Sequence, residues 1–335
     1  MNYRIEDFDY DLPTQLIAQQ PVEPRTSARL LVDRGQNDPW HRHVSDLPSL
    51  LQPGDLLVVN DTRVIPARVG LRRKSGGHVE MLLLESLADG AWECLLRPGR
   101  RISDGEVLLD LEGNEVISVE GRHGPVDSGT FRVQPLIDRE TLFTLGSMPL
   151  PPYIHTSLDD PSRYQTVYSR RPASAAAPTA GLHFTNELIA ELEGLGVELA
   201  RVELVVGLDT FRPLTVSDLA DHRMHTESYE VPESTIEACQ RAERVIAVGT
   251  TAARALESAA HFGQLSGRTD LFITPSHEWK LVDLLLTNFH MPRTTLLVMI
   301  ESLVGPRWRD LYQCAVNERY RMLSFGDAML LDRRA

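Results

Sequence analysis

Residues 68–133 read RVGLRRKSGGHVEMLLLESLADGAWECLLRPGRRISDGEVLLDLEGNEVISVEGRHGPVDSGTFRV. Five short apolar runs, Val79–Leu84, Trp92–Leu96, Val107–Leu111, Val116–Val119 and Thr130–Val133, alternate with turn residues at Gly76-Gly77, Pro98-Gly99, Asp104-Gly105, Glu112-Gly113-Asn114 and Gly124-Pro125. Runs too short for helices and ended by glycine or proline read as strands. Five or more of them in about 70 residues predict a small all-β barrel.

The sequence on either side has a different rhythm. Before the barrel, Leu12–Gln19 reads as helix after Asp11, Ala28–Val32 as a strand, and Leu56–Val59 as a buried strand after the Pro53-Gly54 turn. After it, Pro149-Leu150-Pro151-Pro152 forms a stiff connector. Leu188, Ile189, Leu192 and Leu195 then share one face of a helix that Thr185 caps and Gly196 ends. A strand at Val197–Val206, a helix from about Ser234, a buried strand at Val245–Val248 and a helix opened by Thr250-Thr251 follow. Leu271–Ile273, Leu281–Leu286, Leu296–Ile300 and a last helix from about Pro306 complete the pattern. The predicted fold class is therefore an α/β main domain with an inserted small all-β barrel domain. Residues 1–67 and 149–335 are expected to form a discontinuous α/β domain around an insert at 68–148.

Composition sets outer limits. The 335 residues are 42% apolar and 24% charged, ordinary globular usage, and the length suits two domains. A formal net charge of −13 on average repels phosphate polymers and anionic membranes, and taken alone argues against a nucleic-acid partner. Cys94, Cys239 and Cys314 are odd in number and widely spaced, which suits free thiols in a reducing compartment. No signal peptide is visible after Met1, and no apolar stretch approaches the roughly 20 residues of a bilayer span, so a cytoplasmic protein is expected.

Several chemistries lack their signatures. The two lysines, Lys74 and Lys280, follow no G-x-x-x-x-G-K-[ST] loop, which excludes a P-loop nucleotidase and makes a Schiff-base mechanism an unpromising choice. There is no G-x-G-x-x-G, G-x-S-x-G or H-E-x-x-H motif.

Polar residues concentrate in four segments at the ends of apolar runs, where open α/β sheets place ligands. Val58–Arg68 carries Asn60, Asp61 and Arg63, readable either as a polar turn with an Asp-Arg pair or as part of a site. Ala176–Thr185, with Thr179, Gly181 and His183, offers small residues for close approach and a following helix start that suits an anion, or else a capped tight loop. His222-Arg223-Met224-His225-Thr226-Glu227 places two histidines three apart but supplies no third metal ligand, so no metal is expected. The fourth combines Gly249-Thr250-Thr251 and Arg254 with Thr287-Asn288-Phe289-His290, a glycine-threonine turn that suits a nucleotide or carboxylate.

In order along the chain, these segments resemble the S-adenosylmethionine:tRNA ribosyltransferase-isomerases of queuosine biosynthesis. Phe8–Pro13, Leu16–Gln19, Leu57–Val64, Ala176–Thr185, His222 with Met224–Glu227, Gly249–Thr251, Thr287–His290 and Phe325–Ala328 carry the resemblance, which spans nearly the whole chain. It implies that S-adenosylmethionine, as co-substrate, donates its ribosyl carbons to the aminomethyl group of a 7-deazaguanine wobble base of tRNA. The implied products are epoxyqueuosine-tRNA, adenine and methionine, with no metal and no separate cofactor. Such chemistry needs a base beside the sulfonium, a proton or hydrogen bond for departing adenine, and a cradle for the methionine carboxylate.

On that resemblance, His183, His225 and His290 are acid–base candidates, with Asp61 and Glu227 as orienting or basic carboxylates. Asn60, Arg63, Thr179, Gly181, Thr250, Thr251, Arg254 and Asn288 are candidates for holding substrate, and Arg72 and Arg73 for contacting tRNA. A monomer is expected. The chain departs from the family at Val205–Phe211, where His-Val-Gly-x-Gly-Thr-Phe is usual, and at Pro275–Trp279, where Pro-Gly-Tyr-x-Phe is usual. Two other readings share the motifs: a paralogue using S-adenosylmethionine on another acceptor, and a catalytically silent RNA-binding protein.

Overall fold

The computed structural model describes residues 3–124, 129–207, 217–224 and 226–335. Asp55–Asn60 is buried at every position and lies inside a nine-stranded mixed sheet. Its neighbours Glu198–Leu204 and Arg244–Val248 run parallel to it, and Leu284–Asn288 runs parallel to Arg244–Val248. Continuous burial of a parallel strand requires cover on both faces. One face is covered by the helices Thr250–Phe262, Thr295–Val304 and Trp308–Asn317, the other by Asn186–Gly194 and the segments around Leu47 and Phe184.

Beyond Leu284–Asn288 the strand Ala328–Asp332 is antiparallel, followed by Arg29–Val32 and the exposed edge strand Trp40–His43. Antiparallel Glu227–Glu230 and Ser266–Thr269 close the other side.

The barrel closes as expected for short alternating strands. Six antiparallel strands, Arg68–Arg73, His78–Ser86, Trp92–Arg97, Thr130–Pro135, Glu115–Arg122 and Val107–Leu109, form a ring because the last also pairs with the first. Inward residues such as Val69, Leu71, Met81, Leu83, Cys94, Leu96 and Phe131 fill it. At its opening onto the main sheet, Glu85 accepts a hydrogen bond from Ser228 and forms an ion pair with Arg268 at 2.6 Å.

Two sequence expectations fail locally. Leu12–Gln19 is not an α-helix: only Thr14–Leu16 makes a 3-10 turn. Instead Ala18 N–H donates to the Met322 carbonyl and Met322 N–H to that of Leu16, so tertiary pairing takes the groups a helix would use. Leu271–Ile273 is not a strand, because the Leu271 carbonyl and amide are held by Arg254 and the Thr269 hydroxyl.

Candidate active site

The parallel strands end on one edge of the sheet, and two of them deliver the polar motifs. After Arg244–Val248, Gly249 adopts φ +88°, a conformation that turns the strand directly into the helix Thr250–Phe262. The first N–H groups of that helix have no intrahelical acceptors, and its N-terminal dipole favours an anion. After Leu284–Asn288 the chain turns through Phe289 to His290. Over both lies the 3-10 turn Thr179–His183. Together they line an open cleft, with Thr179, Thr250, Thr251, Asn288 and His290 among its walls.

Within it the side chains form a directional chain. The Thr179 hydroxyl donates to Asn288 Oδ1 at 2.9 Å, so the Asn288 amide N–H₂ faces His183 Nε2 at 3.3 Å and the Asp327 carbonyl at 3.4 Å. His183 Nε2 is then the acceptor and the ring proton sits on Nδ1. His183 does not line the cleft; it sits behind Asn288 and orients it. His290 does line it. Its Nε2 is 3.0 Å from the Thr287 hydroxyl, and its backbone is gripped twice: N–H donates to the Tyr312 hydroxyl at 3.0 Å, and the carbonyl accepts from the Tyr10 hydroxyl at 2.7 Å. Thr251 Oγ1 is buried at the cleft and has no hydrogen-bond partner among the described residues.

Burial pulls the His183 imidazole down to about 4, with Arg321 and Arg25 adding to the effect, and pulls His290 down to about 3. Both rings are neutral at pH 7. A histidine in the unfolded chain titrates near about 6.5, so on acidification the unfolded chain takes up these protons first. The stability contributed by the neutral rings is complete above about pH 6.5 and is lost as pH falls toward 4 and 3. Urea unfolding midpoints are expected to drop between pH 7 and pH 4.5, and to drop less in the His183→Gln/His290→Gln variant. Equal pH slopes for the two proteins would contradict this.

Other sequence candidates lie elsewhere. The Asn60 amide donates to the Leu204 carbonyl and accepts from the Thr62 and Leu204 N–H groups, tying adjacent strands together. Asp61 lines a second groove with Arg170, Arg201, Glu203 and Glu230, where burial and then Glu203 push its carboxyl up. Arg63 is exposed on the short strand Thr62–Val64. Glu227 and Arg254 form a buried ion pair, with Arg254 also donating to the Leu271 and Thr269 carbonyls. Arg73 is bound to Glu106 through two nitrogens, at 2.6 and 3.0 Å, while Arg72 is exposed. Gly181 is buried, and a Cβ there would stand 1.9 Å from the Tyr168 hydroxyl, so its smallness serves packing. His225 lies outside the described residues. Among the described residues, no group of three His, Cys, Asp or Glu side chains is placed to hold a metal, and no helix is long and apolar enough to cross a membrane.

The sequence model of a family described as "Queuosine biosynthesis protein" matches residues 5–331. The chain belongs to the queuosine biosynthesis protein family. A protein from Synechococcus elongatus named S-adenosylmethionine:tRNA ribosyltransferase-isomerase is 47% identical over 98% of this chain and 96% of its own length. One of the same name from Rubrobacter xylanophilus is 49% identical, covering 98% and 97%. A crystal structure of S-adenosylmethionine tRNA ribosyltransferase from Thermotoga maritima aligns with a TM-score of 0.55 at 38% identity, covering 97% of this chain and 99% of that one.

The two segments where this member of the queuosine biosynthesis family is expected to depart from the resemblance are placed differently. At Pro275–Trp279, His277 Nε2 lies 3.1 Å from Glu257 and stacks edge-on against Trp279. Glu257 is seven residues, about 10 Å of helix rise, from Thr250, and no residue of the segment lines the cleft. At Val205–Phe211, Val206 does line the cleft and Gly207 N–H donates to Glu227, whereas 208–211 lie outside the described residues. Tyr153 and Ser324, outside the four polar segments, join their hydroxyls at 2.6 Å in the cleft wall. Ser324 immediately precedes the Phe325–Ala328 motif, which was the available signal.

Proposed function

We propose that this chain is an S-adenosylmethionine:tRNA ribosyltransferase-isomerase. It transfers and isomerises the ribosyl moiety of S-adenosylmethionine onto the 7-aminomethyl-7-deazaguanine wobble base of tRNA, giving epoxyqueuosine-tRNA, adenine and methionine. The observation that carries this reading is one cleft holding an anion-seeking helix start beside a buried neutral imidazole. S-adenosylmethionine has a carboxylate at one end, a cation in the middle and acidic C–H bonds beside that cation.

In this account the methionine carboxylate sits at the Thr250–Thr251 N–H groups and takes the Thr251 hydroxyl as a donor. His290 stays in its proton-accepting form across pH 5–8 and takes the proton from the ribosyl carbon next to sulfur. Burial makes its imidazolium a ready proton donor to departing adenine and its neutral ring a weak base, so the first transfer relies on the acidity that the sulfonium gives the neighbouring C–H. Asn288, held by Thr179 and His183, positions base or ribose. We assign no further cofactor, and take the protein as a cytoplasmic monomer.

Purified protein is expected to release adenine from S-adenosylmethionine only when tRNA carrying the aminomethyl-deazaguanine is present. Adenine with a different acceptor instead would support the paralogue reading, and tight tRNA binding with no adenine the silent RNA-binding reading. Thr251→Val, nearly isosteric, is expected to raise KM for S-adenosylmethionine about 10- to 100-fold, the value of one hydrogen bond to a charged group. An unchanged KM would remove Thr251 from the carboxylate site.

A further inference from the structure

Several cations on the barrel are consumed within it. Arg68 pairs with Glu80, Arg73 with Glu106, Lys74 with Glu115, and Arg132 with both Glu120 and Asp89. Arg72 is exposed and, among the described residues, unpaired on the strand Arg68–Arg73, and four further arginines gather around one turn. Arg97, Arg100, Arg101 and Arg122 are exposed and form no ion pair with any described residue. They also converge. The Arg122 guanidinium carbon lies 4.3 Å over the Phe131 ring, and the 3-10 turn Gly99–Arg101 packs on the same ring so closely that a Cβ on Gly99 would stand 3.0 Å from it.

Strand register puts this group at one end of the barrel. Arg97 is opposite Glu80 and Arg122 opposite Phe131, whereas Ser86 and Trp92 pair at the other end, beside the Glu85 contact to the main sheet. The nearby acids are Glu80, already bonded to Arg68, and Asp104, which lies beside Gly121. Four guanidiniums, with Glu80 already paired to Arg68, thus lie at one end of the barrel on a chain of net charge −13.

We propose that Arg97, Arg100, Arg101 and Arg122 form a phosphate-binding patch that holds the tRNA backbone away from the reacting base. This rests on the reading of tRNA as substrate. Planar forked guanidiniums match phosphate oxygens, and each phosphate neutralised releases condensed counterions. The acidic remainder of the surface then limits binding to this strip.

The test is direct binding of tRNA across a salt series, which needs no turnover. Arg100→Glu/Arg101→Glu is expected to raise Kd at least tenfold and to make the slope of log Kd against log salt shallower by about 2, near 0.9 per lost phosphate contact. Arg100→Lys/Arg101→Lys, which keeps the charges, is expected to retain most of the slope. Thermal unfolding of each variant checks that the barrel is intact. An unchanged Kd and slope in the Glu variant overturns the patch, even if the wild-type protein releases adenine with tRNA. Loss of affinity in a protein that releases no adenine supports the patch while the catalytic reading fails.

Discussion

His290→Ala is expected to lower kcat for adenine release by about 10²- to 10⁴-fold, the range for a lost general acid–base. KM for S-adenosylmethionine should stay within about threefold, because the proposed carboxylate cradle is on another element. The variant should fold: the Tyr10 and Tyr312 hydroxyls hold residue 290 through its backbone, which alanine retains. His290→Gln, able to keep a hydrogen bond to Thr287, should be nearly as slow, since a carboxamide is too weak a base and too weak an acid to carry the proton near neutral pH. In the wild-type enzyme log(kcat/KM) should show no break near pH 6.5 from His290 or His183, because burial has moved His290 to about 3 and His183 to about 4. Full turnover by both variants would move the proton transfer to another group.

Gly181→Ala carries the second large effect and separates two roles for one glycine. The new methyl would stand 1.9 Å from the Tyr168 hydroxyl and 2.9 Å from Thr166 Cγ2, both in a buried layer. Overpacking of this kind costs about 1–3 kcal/mol. It must also shift the turn bearing Thr179 and His183, both of which bond Asn288. A lower unfolding midpoint and at least a tenfold loss of kcat are expected together. Tyr168→Phe should be nearly neutral alone, because that hydroxyl has no hydrogen-bond partner among the described residues, and should restore part of both losses in Gly181→Ala. If Gly181→Ala instead weakens S-adenosylmethionine binding with stability unchanged, the glycine touches substrate and the packing role is wrong.

How far the structure was legible depended on where each residue's partners lie. Barrel strands such as Trp92–Arg97 carry their turn signals beside them, so their existence and order were readable. The same held for Gly249-Thr250, where a glycine at a strand end announces a helix start. Leu12–Gln19 was misread because its hydrogen-bond partner is Met322, some three hundred residues away. Site residues divided in the same way. Thr250, Thr251, Asn288 and His290 stand at the ends of recognisable strands and reach one cleft. Asn60 and Arg254 have the right chemistry, but their polar groups are taken up by the Leu204, Leu271 and Thr269 backbone, which no local pattern reveals. The bulk charge of −13 pointed away from RNA, while the uncompensated arginines around Phe131 concentrate the opposite charge in one place.

The central claim is that the cleft spends S-adenosylmethionine as a ribosyl donor. The most direct measurement supplies the co-substrate labelled either on its ribosyl carbons or on its methyl group, with tRNA carrying the aminomethyl-deazaguanine, and follows the modified nucleoside by mass. The account predicts ribosyl label in the nucleoside, one adenine and one methionine released per label gained, and no methyl label. Methyl label in the tRNA, or adenine released with no ribosyl label transferred, would contradict it.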